Sequence, residues 1–202
     1  MEYIRFLIPV LMLSACGNGE SPKSVARSGG IVVSGEAAIG GDYTLINQDG
    51  ETVTQDTFLG RPQLIYFGFT FCPDVCPTSL QQLAYALDEV DPDADYFQPV
   101  FISVDPERDT PGVLGAYVRT SVFPDNLKGL TGTVEQVEQA KTAYKMYSAK
   151  VNDPDSTAGY TIDHLSLVYL MDKNGKFADV FSHTTTTEEM IDRLRAYKIS
   201  NP

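Results

Sequence analysis

Two cysteines stand between an apolar strand-like run and a helix-like segment, and this junction constrains the fold more than any other feature. The run over residues 63–69 is rich in Ile, Tyr and Phe and predicts a buried strand. Cys72 and Cys76 follow at once, and apolar residues over 78–90 then recur with a helical period. Ligands and functional groups of α/β folds gather at such junctions. The sequence therefore predicts an α/β domain with a thiol pair at the carboxyl end of a strand.

The remaining pattern predicts a central mixed sheet with helices on its faces. Two short runs, 42–46 and 51–54, flank an Asn-Gln-Asp-Gly turn and predict an N-terminal β-hairpin. The strongest helical pattern covers 133–148, where Thr133 can act as the N-cap. Residues 151–162 have the composition of a polar loop. Further strands are predicted at 99–104, 165–171 and 176–181, and further helices at 111–118 and 187–197.

The N-terminal segment has the pattern of an export signal. A basic residue precedes an apolar run that is too short to cross a bilayer. The segment 13–16 resembles the bacterial lipoprotein box, which implies cleavage before Cys16 and acylation of that residue. We therefore expect a signal peptide over 1–15, the lipidated Cys16 with a flexible tether over 16–38, and a folded domain over 39–202. The alternative is an ordinary signal peptide or an uncleaved anchor.

The predicted cellular location is the periplasmic face of a bacterial cell envelope, where a lipid would anchor the protein to a membrane. The formal net charge of −12 argues against a nucleic-acid partner, because such partners select basic surfaces. The charge favours a soluble domain that repels its own kind, and it would also suit a cation or a basic docking face.

Spacing alone leaves three interpretations of the cysteine pair open. Residues four apart on a helical turn are neighbours, so the two thiols can hold a soft metal ion, act as a redox dithiol, or form a structural disulfide. The disulfide would close a very small loop and add little stability. The start of a helix lowers thiol pKa values, which favours the other two interpretations. Pro73 and Pro77 stiffen the loop and favour a preformed site.

Four segments in order resemble the Sco (SenC) family of copper chaperones for cytochrome c oxidase assembly. They are GDYTL at 41–45, GFTFCPDVCP at 68–77, VDPERDTP at 104–111 and YTIDH at 160–164. The resemblance spans about residues 36–198 and implies a thioredoxin-like fold with an added N-terminal β-hairpin. It also implies that Cys72, Cys76 and His164 bind one copper ion per chain, as Cu(I) or Cu(II). Some relatives carry histidine where this chain has Phe71, which cannot coordinate a metal.

The function implied by the resemblance is delivery of copper to the dinuclear copper site of cytochrome c oxidase subunit II. Two thiolates and an imidazole suit Cu(I) or Zn(II), but a structural zinc site would need a fourth protein ligand. The alternative is a thiol–disulfide oxidoreductase in which Cys72 and Cys76 reduce the cysteines of subunit II before copper loading. Other periplasmic copper chaperones or thiol reductants would be further partners.

Other polar residues carry weaker signals. Asp74 lies between the cysteines and could raise their pKa values or offer a docking charge, or else be a solvated loop residue. Asp163 adjoins His164 and could orient its ring, or else serve in capping or a turn. We expect His183 to be a surface residue. A polar turn between a strand and a helix is expected to supply caps and local ion pairs; it contains Asp105, Arg108 and Asp109.

Overall fold

The computed structural model describes residues 39–154 and 159–202. The predicted signal peptide, the lipidation of Cys16 and the tether up to residue 38 lie outside the described residues. Among the helices of the described ranges, none is long and apolar enough to cross a membrane.

A seven-stranded mixed sheet forms the centre of the fold, as predicted. Its strands are β1 (Thr44–Asn47), β2 (Thr52–Thr54), β3 (Gln63–Gly68), β4 (Gln98–Ser103), β5 (Lys128–Thr131), β8 (Leu167–Met171) and β9 (Phe177–Ser182). They lie in the order β2-β1-β5-β4-β3-β8-β9. Strand β4 runs parallel to β3 and β5, and the other pairs are antiparallel. This arrangement is a thioredoxin-like fold, and β1 and β2 form the expected N-terminal hairpin.

Within the described residues, four α-helices flank the sheet. They are α1 (Val75–Val90), α2 (Pro111–Val118), α3 (Val134–Ala143) and α4 (Thr187–Ser200). Helix α1 packs against α4, while α2 contacts β5 and α3 contacts β1. The helical period over α1 buries Leu80, Leu83 and Leu87, as expected for one apolar face. Strand β3 is buried along its whole length, because its two neighbours and the helices cover it on all sides.

The prediction of one helix over 133–148 is wrong at its C-terminal end. Thr133 caps α3 with Gln136 as predicted, but the helix ends at Ala143. Lys145 then adopts a left-handed backbone with φ of 54°, and the chain turns away from the helix axis. Tyr144 is buried but Tyr147 is 62% exposed. The helical spacing of apolar residues in the sequence therefore extends beyond the last residue of the helix.

The predicted polar loop over 151–162 contains much of a β-hairpin. Strands β6 (Ser148–Asn152) and β7 (Tyr160–His164) pair antiparallel as a separate two-stranded sheet, called here the histidine hairpin. Its strands bury little surface, so no apolar alternation marks them in the sequence. His164 is therefore the last residue of β7, in a stretch for which no strand was predicted. Strand β5 also went unpredicted, because its sequence Lys-Gly-Leu-Thr has no alternation of apolar and polar residues.

Candidate metal centre

Three ligand atoms from distant parts of the chain meet beyond the end of β3. The two Sγ atoms of Cys72 and Cys76 and an imidazole nitrogen of His164 all lie within 4.8 Å of one another. The distance from Cys76 Sγ to His164 Nε2 is 3.4 Å. Both thiols are free, and no other group of three or more His, Cys, Asp or Glu in the described ranges has such spacing. The sequence-predicted trio is thus brought together by the fold.

The local chain geometry sets the two cysteines in different surroundings. Cys72 lies half-buried on the segment between β3 and α1, called here the cysteine loop (residues 69–74). Its N–H donates to the Phe69 carbonyl at 3.2 Å, which curls the loop. Cys76 lies in the first turn of α1, is fully buried, and donates its backbone N–H to Cys72 Sγ at 3.4 Å. Cys72 is therefore partly exposed, whereas Cys76 is not.

This asymmetry separates the acidities of the two thiols. A hydrogen bond from the Cys76 thiol, helped by His164 and by the backbone N–H groups of Asp74 and Cys76, lowers the pKa of Cys72 to about 4 against the effect of burial. The hydrogen bond to Cys72, burial and the nearby negative charge raise the pKa of Cys76. In the metal-free pair these contacts favour the thiolate form of Cys72 and the protonated form of Cys76.

Gly68 makes room for the buried sulfur at the end of β3. A Cβ atom at this position would lie 2.9 Å from Cys76 Sγ and 2.9 Å from ring carbons of both Tyr66 and Phe101. Such contacts are too close for any larger residue without movement of the sulfur or the rings. The glycine at the start of the cysteine motif is thus required by packing around the thiol.

The imidazole of His164 is oriented by backbone and aromatic contacts. Its Nδ1 lies 3.2 Å from the Leu165 carbonyl, and this bond leaves Nε2 directed at Cys76. The ring packs edge-on against Phe69 and Tyr66, with centroid distances of 5.8 and 6.2 Å. An imidazole nitrogen beside two sulfurs is a donor set that suits a soft metal ion.

Three other residues named from the sequence have different places in the site. Asp163 is exposed and points to the opposite face of β7, so the Leu165 carbonyl orients the His164 ring in its stead. The Asp74 side chain is exposed at the start of α1, and this residue acts on Cys72 through its backbone N–H. His183 is exposed as predicted, but it also lines an open depression that includes His164. No spacing in the sequence could have indicated that proximity.

The polar turn between β4 and α2 does more than cap a helix. Asp109 is fully buried and accepts hydrogen bonds from the Thr70 N–H at 3.0 Å, from Thr70 Oγ1 at 2.6 Å and from Ser103 Oγ at 2.6 Å. Thr70 lies two residues before Cys72, so this carboxylate ties the cysteine loop to the end of β4. The local ion pair expected from the sequence is also present, between Arg108 and the buried Asp105.

The comparisons with known proteins agree with this geometry. A family model described as SCO1/SenC matches residues 32–198. A SCO2-like protein of Rickettsia felis is 40% identical over 157 residues, which cover 78% of this chain and 76% of that protein. The structure of Bradyrhizobium japonicum ScoI with copper bound is 43% identical, covers 79% of this chain and 99% of that one, and has a TM-score of 0.69. Arabidopsis thaliana ScoI with copper bound is 36% identical, covers 80% and 99%, and has a TM-score of 0.75.

Proposed function

The chain belongs to the SCO1/SenC family, and we propose that it binds one copper ion with Cys72, Cys76 and His164 and delivers it during cytochrome c oxidase assembly. Sco proteins are a family of cytochrome c oxidase assembly proteins. The observation that carries the proposal is the convergence of two free thiols and one imidazole within 4.8 Å. Relatives with 43% and 36% identity have been solved with copper bound.

The donor set suits copper as cargo. Soft thiolates select Cu(I), and an imidazole accepts either oxidation state of copper. Cys72 is the more acidic of the two thiols, and both sulfurs must be free of protons when the metal is bound. Three protein ligands leave room for a ligand of the recipient, and the half-buried Cys72 offers the accessible side. Such a site can hold the ion and pass it on by ligand exchange.

The recipient in this proposal is the dinuclear copper site of cytochrome c oxidase subunit II. We expect the transfer to occur on the periplasmic face of a bacterial membrane, with acylated Cys16 as the anchor. The lipoprotein-like segment before Cys16 supports the anchor. Intact mass analysis of detergent-extracted protein tests it, since acylation adds the mass of the lipid to a chain that begins at Cys16.

Anaerobic titration with Cu(I) against a competing chelator tests the carrier function. The reduced protein is expected to bind one equivalent tightly. The same protein, oxidised to its Cys72–Cys76 disulfide, is the matched control and is expected to bind none, because disulfide sulfurs lack the thiolate charge that holds the metal. Equal binding by the two forms would show that the thiols do not hold copper.

The unequal acidities of the thiols favour a second function, reduction of a partner's disulfide. The Cys72 thiolate would attack one sulfur of the disulfide, forming a mixed disulfide and releasing the other sulfur as a thiolate that takes a proton. Cys76 would then lose its proton and attack Cys72 Sγ, which releases the second thiol. The pair ends as a disulfide and has given two electrons. The copper and reductase functions are compatible, because both need the reduced pair.

The acidity of Cys72 predicts an unusual pH dependence of its alkylation. A thiol with a pKa near 8.5 reacts about a hundredfold more slowly at pH 5 than at pH 7, because the thiolate fraction falls tenfold per pH unit. With a pKa of about 4, Cys72 stays a thiolate over this range. Its reaction rate with iodoacetamide should change less than about twofold between pH 7 and pH 5, and should be halved at about pH 4. Peptide mass spectrometry after timed quenching measures this rate, and a tenfold fall per unit would refute the assignment.

A further inference from the structure

We propose that Arg108 is a positioning residue that holds His164 in register with the two cysteines. The inference rests on the proposed metal site and assigns a role to a residue that supplies no ligand. Arg108 lies in the turn between β4 and α2, and its side chain is 13% exposed. This side chain stands between the cysteine loop and the histidine hairpin, the two segments whose relative position decides whether a three-ligand site exists.

The guanidinium group contacts aromatic rings from both segments. Its Cζ atom lies 4.0 Å from the ring centroid of Tyr160, the first residue of β7. On the cysteine loop it lies 4.9 Å from the Phe71 centroid and 5.7 Å from the Phe69 centroid. Cation–π attraction favours such contacts, and partial burial strengthens it. One cation thus bridges the ligand-bearing segments.

Hydrogen bonds fix this cation to the fold and to the hairpin. Arg108 Nε pairs with the carboxylate of Asp105, which is fully buried. The Tyr160 hydroxyl donates to the same carboxylate at 3.0 Å, and Arg108 Nη1 donates to the Tyr160 carbonyl at 3.4 Å. Asp105, Arg108 and Tyr160 therefore each contact the other two.

The histidine hairpin depends on such contacts because it is not part of the central sheet. Strands β6 and β7 pair with each other and with no strand of the seven-stranded sheet. His164 lies four residues after Tyr160, at the other end of β7. Phe69 contacts both Arg108 and the His164 ring, at 5.7 and 5.8 Å. The position of the imidazole is thus set at both ends of β7 by groups that touch Arg108.

The Phe71 side chain packs on Arg108 in this arrangement. Its ring is 52% exposed and covers the guanidinium of Arg108 from the cysteine loop. In this chain the position contributes to the aromatic enclosure of Arg108 and offers no metal ligand.

The test compares Arg108→Lys with Arg193→Lys. Lysine keeps a positive charge for Asp105 but loses the planar group that stacks on the rings. Arg193 is a matched control, because its Cζ lies 4.4 Å from the Phe181 ring centroid and it pairs with Asp179, at a site that holds none of the three ligands. We expect Arg108→Lys to weaken Cu(I) binding by about 10- to 100-fold, as for loss of a group that orients a metal ligand. Arg193→Lys should leave the affinity unchanged.

Two further readouts separate positioning from general stability. In the metal-free protein, the NMR shifts of the His164 ring should move in Arg108→Lys and stay fixed in Arg193→Lys, because ring packing on Phe69 changes only in the first. In a His164→Ala background, Arg108→Lys should have no further effect on copper affinity. If Arg108→Lys does not fold, Phe71→Leu, at an exposed position, should change the ring shifts and the affinity in the same direction.

These outcomes distinguish the inference from the function on which it rests. If the wild type fails to bind Cu(I), the proposed function fails, while the His164 ring shifts of the metal-free variants still decide the role of Arg108. If the wild type binds Cu(I) but the Arg108 and Arg193 variants match it in affinity and ring shifts, the inference is overturned. The same holds if Arg108→Lys weakens binding equally with and without His164.

Discussion

Replacing His164 with alanine is expected to weaken Cu(I) binding by about a hundredfold or more, yet leave disulfide reduction nearly intact. The change removes a ligand, and loss of a group that only orients a ligand already costs about 10- to 100-fold. Reduction needs only the Cys72 thiolate and the Cys76 thiol, which lie in the cysteine loop and the first turn of α1. Competition against a Cu(I) chelator measures the affinity, and release of the second equivalent of thiol from an aromatic model disulfide measures the complete reduction, because that step requires Cys76.

The control for this prediction is Cys76→Ser, which should remove both activities. Without the second thiol, the copper site loses a thiolate and the reaction with a disulfide stops at the mixed disulfide on Cys72. Unchanged copper affinity in His164→Ala would mean that the imidazole is not a ligand. Cells carrying His164→Ala then separate the two proposed functions. Loss of oxidase assembly indicates copper delivery, whereas normal assembly that fails with Cys76→Ser indicates reduction.

Replacing Asp109 with alanine is expected to lower the free energy of unfolding by about 3 kcal/mol, since each buried donor left without a partner costs about 1–3 kcal/mol. The change removes the acceptor shared by Ser103 Oγ and by two donors of Thr70. It also frees the cysteine loop from β4, so copper affinity should fall as well. Urea unfolding measures the stability. Asp109→Asn is the matched control, because it keeps the volume and one acceptor oxygen and should cost less.

Because Asp109 can ionise and asparagine cannot, the difference in stability between the wild type and Asp109→Asn should depend on pH. Burial raises the pKa of Asp109 in the folded protein, in spite of the hydrogen bonds that it accepts from Ser103 and Thr70. The folded state therefore binds the proton more tightly than the unfolded state, and stability falls as pH rises through the interval between the two pKa values. Relative to Asp109→Asn, the wild type should gain stability as pH is lowered towards about 4, the ordinary pKa of aspartate. The opposite trend would mean that the hydrogen bonds outweigh burial.

The sequence correctly predicted those helices and strands that are stabilised by contacts between residues close together in the chain. The N-terminal hairpin follows from a tight turn in which Gly50 has a φ of 86°. Helix α1 follows from one buried face, and the start of α3 from the capping box at Thr133. The end of α3 and the histidine hairpin could not be predicted in this way. Lys145 breaks the helix in a left-handed conformation, and the hairpin strands bury too little surface to leave an apolar period.

The metal centre was likewise predictable only in its local part. The sequence by itself determined the thiol pair, because residues four apart at a strand-to-helix junction are neighbours in any such fold. Only the tertiary structure decided what faces that pair. His164 is 88 residues from Cys76, and no local rule brings its Nε2 to 3.4 Å from the sulfur. Resemblance named this histidine, but packing through Phe69 and Arg108 places it. The physical reason is that contacts between residues far apart in the sequence depend on how whole helices and strands pack together. The residues adjacent to each partner in the sequence do not determine them.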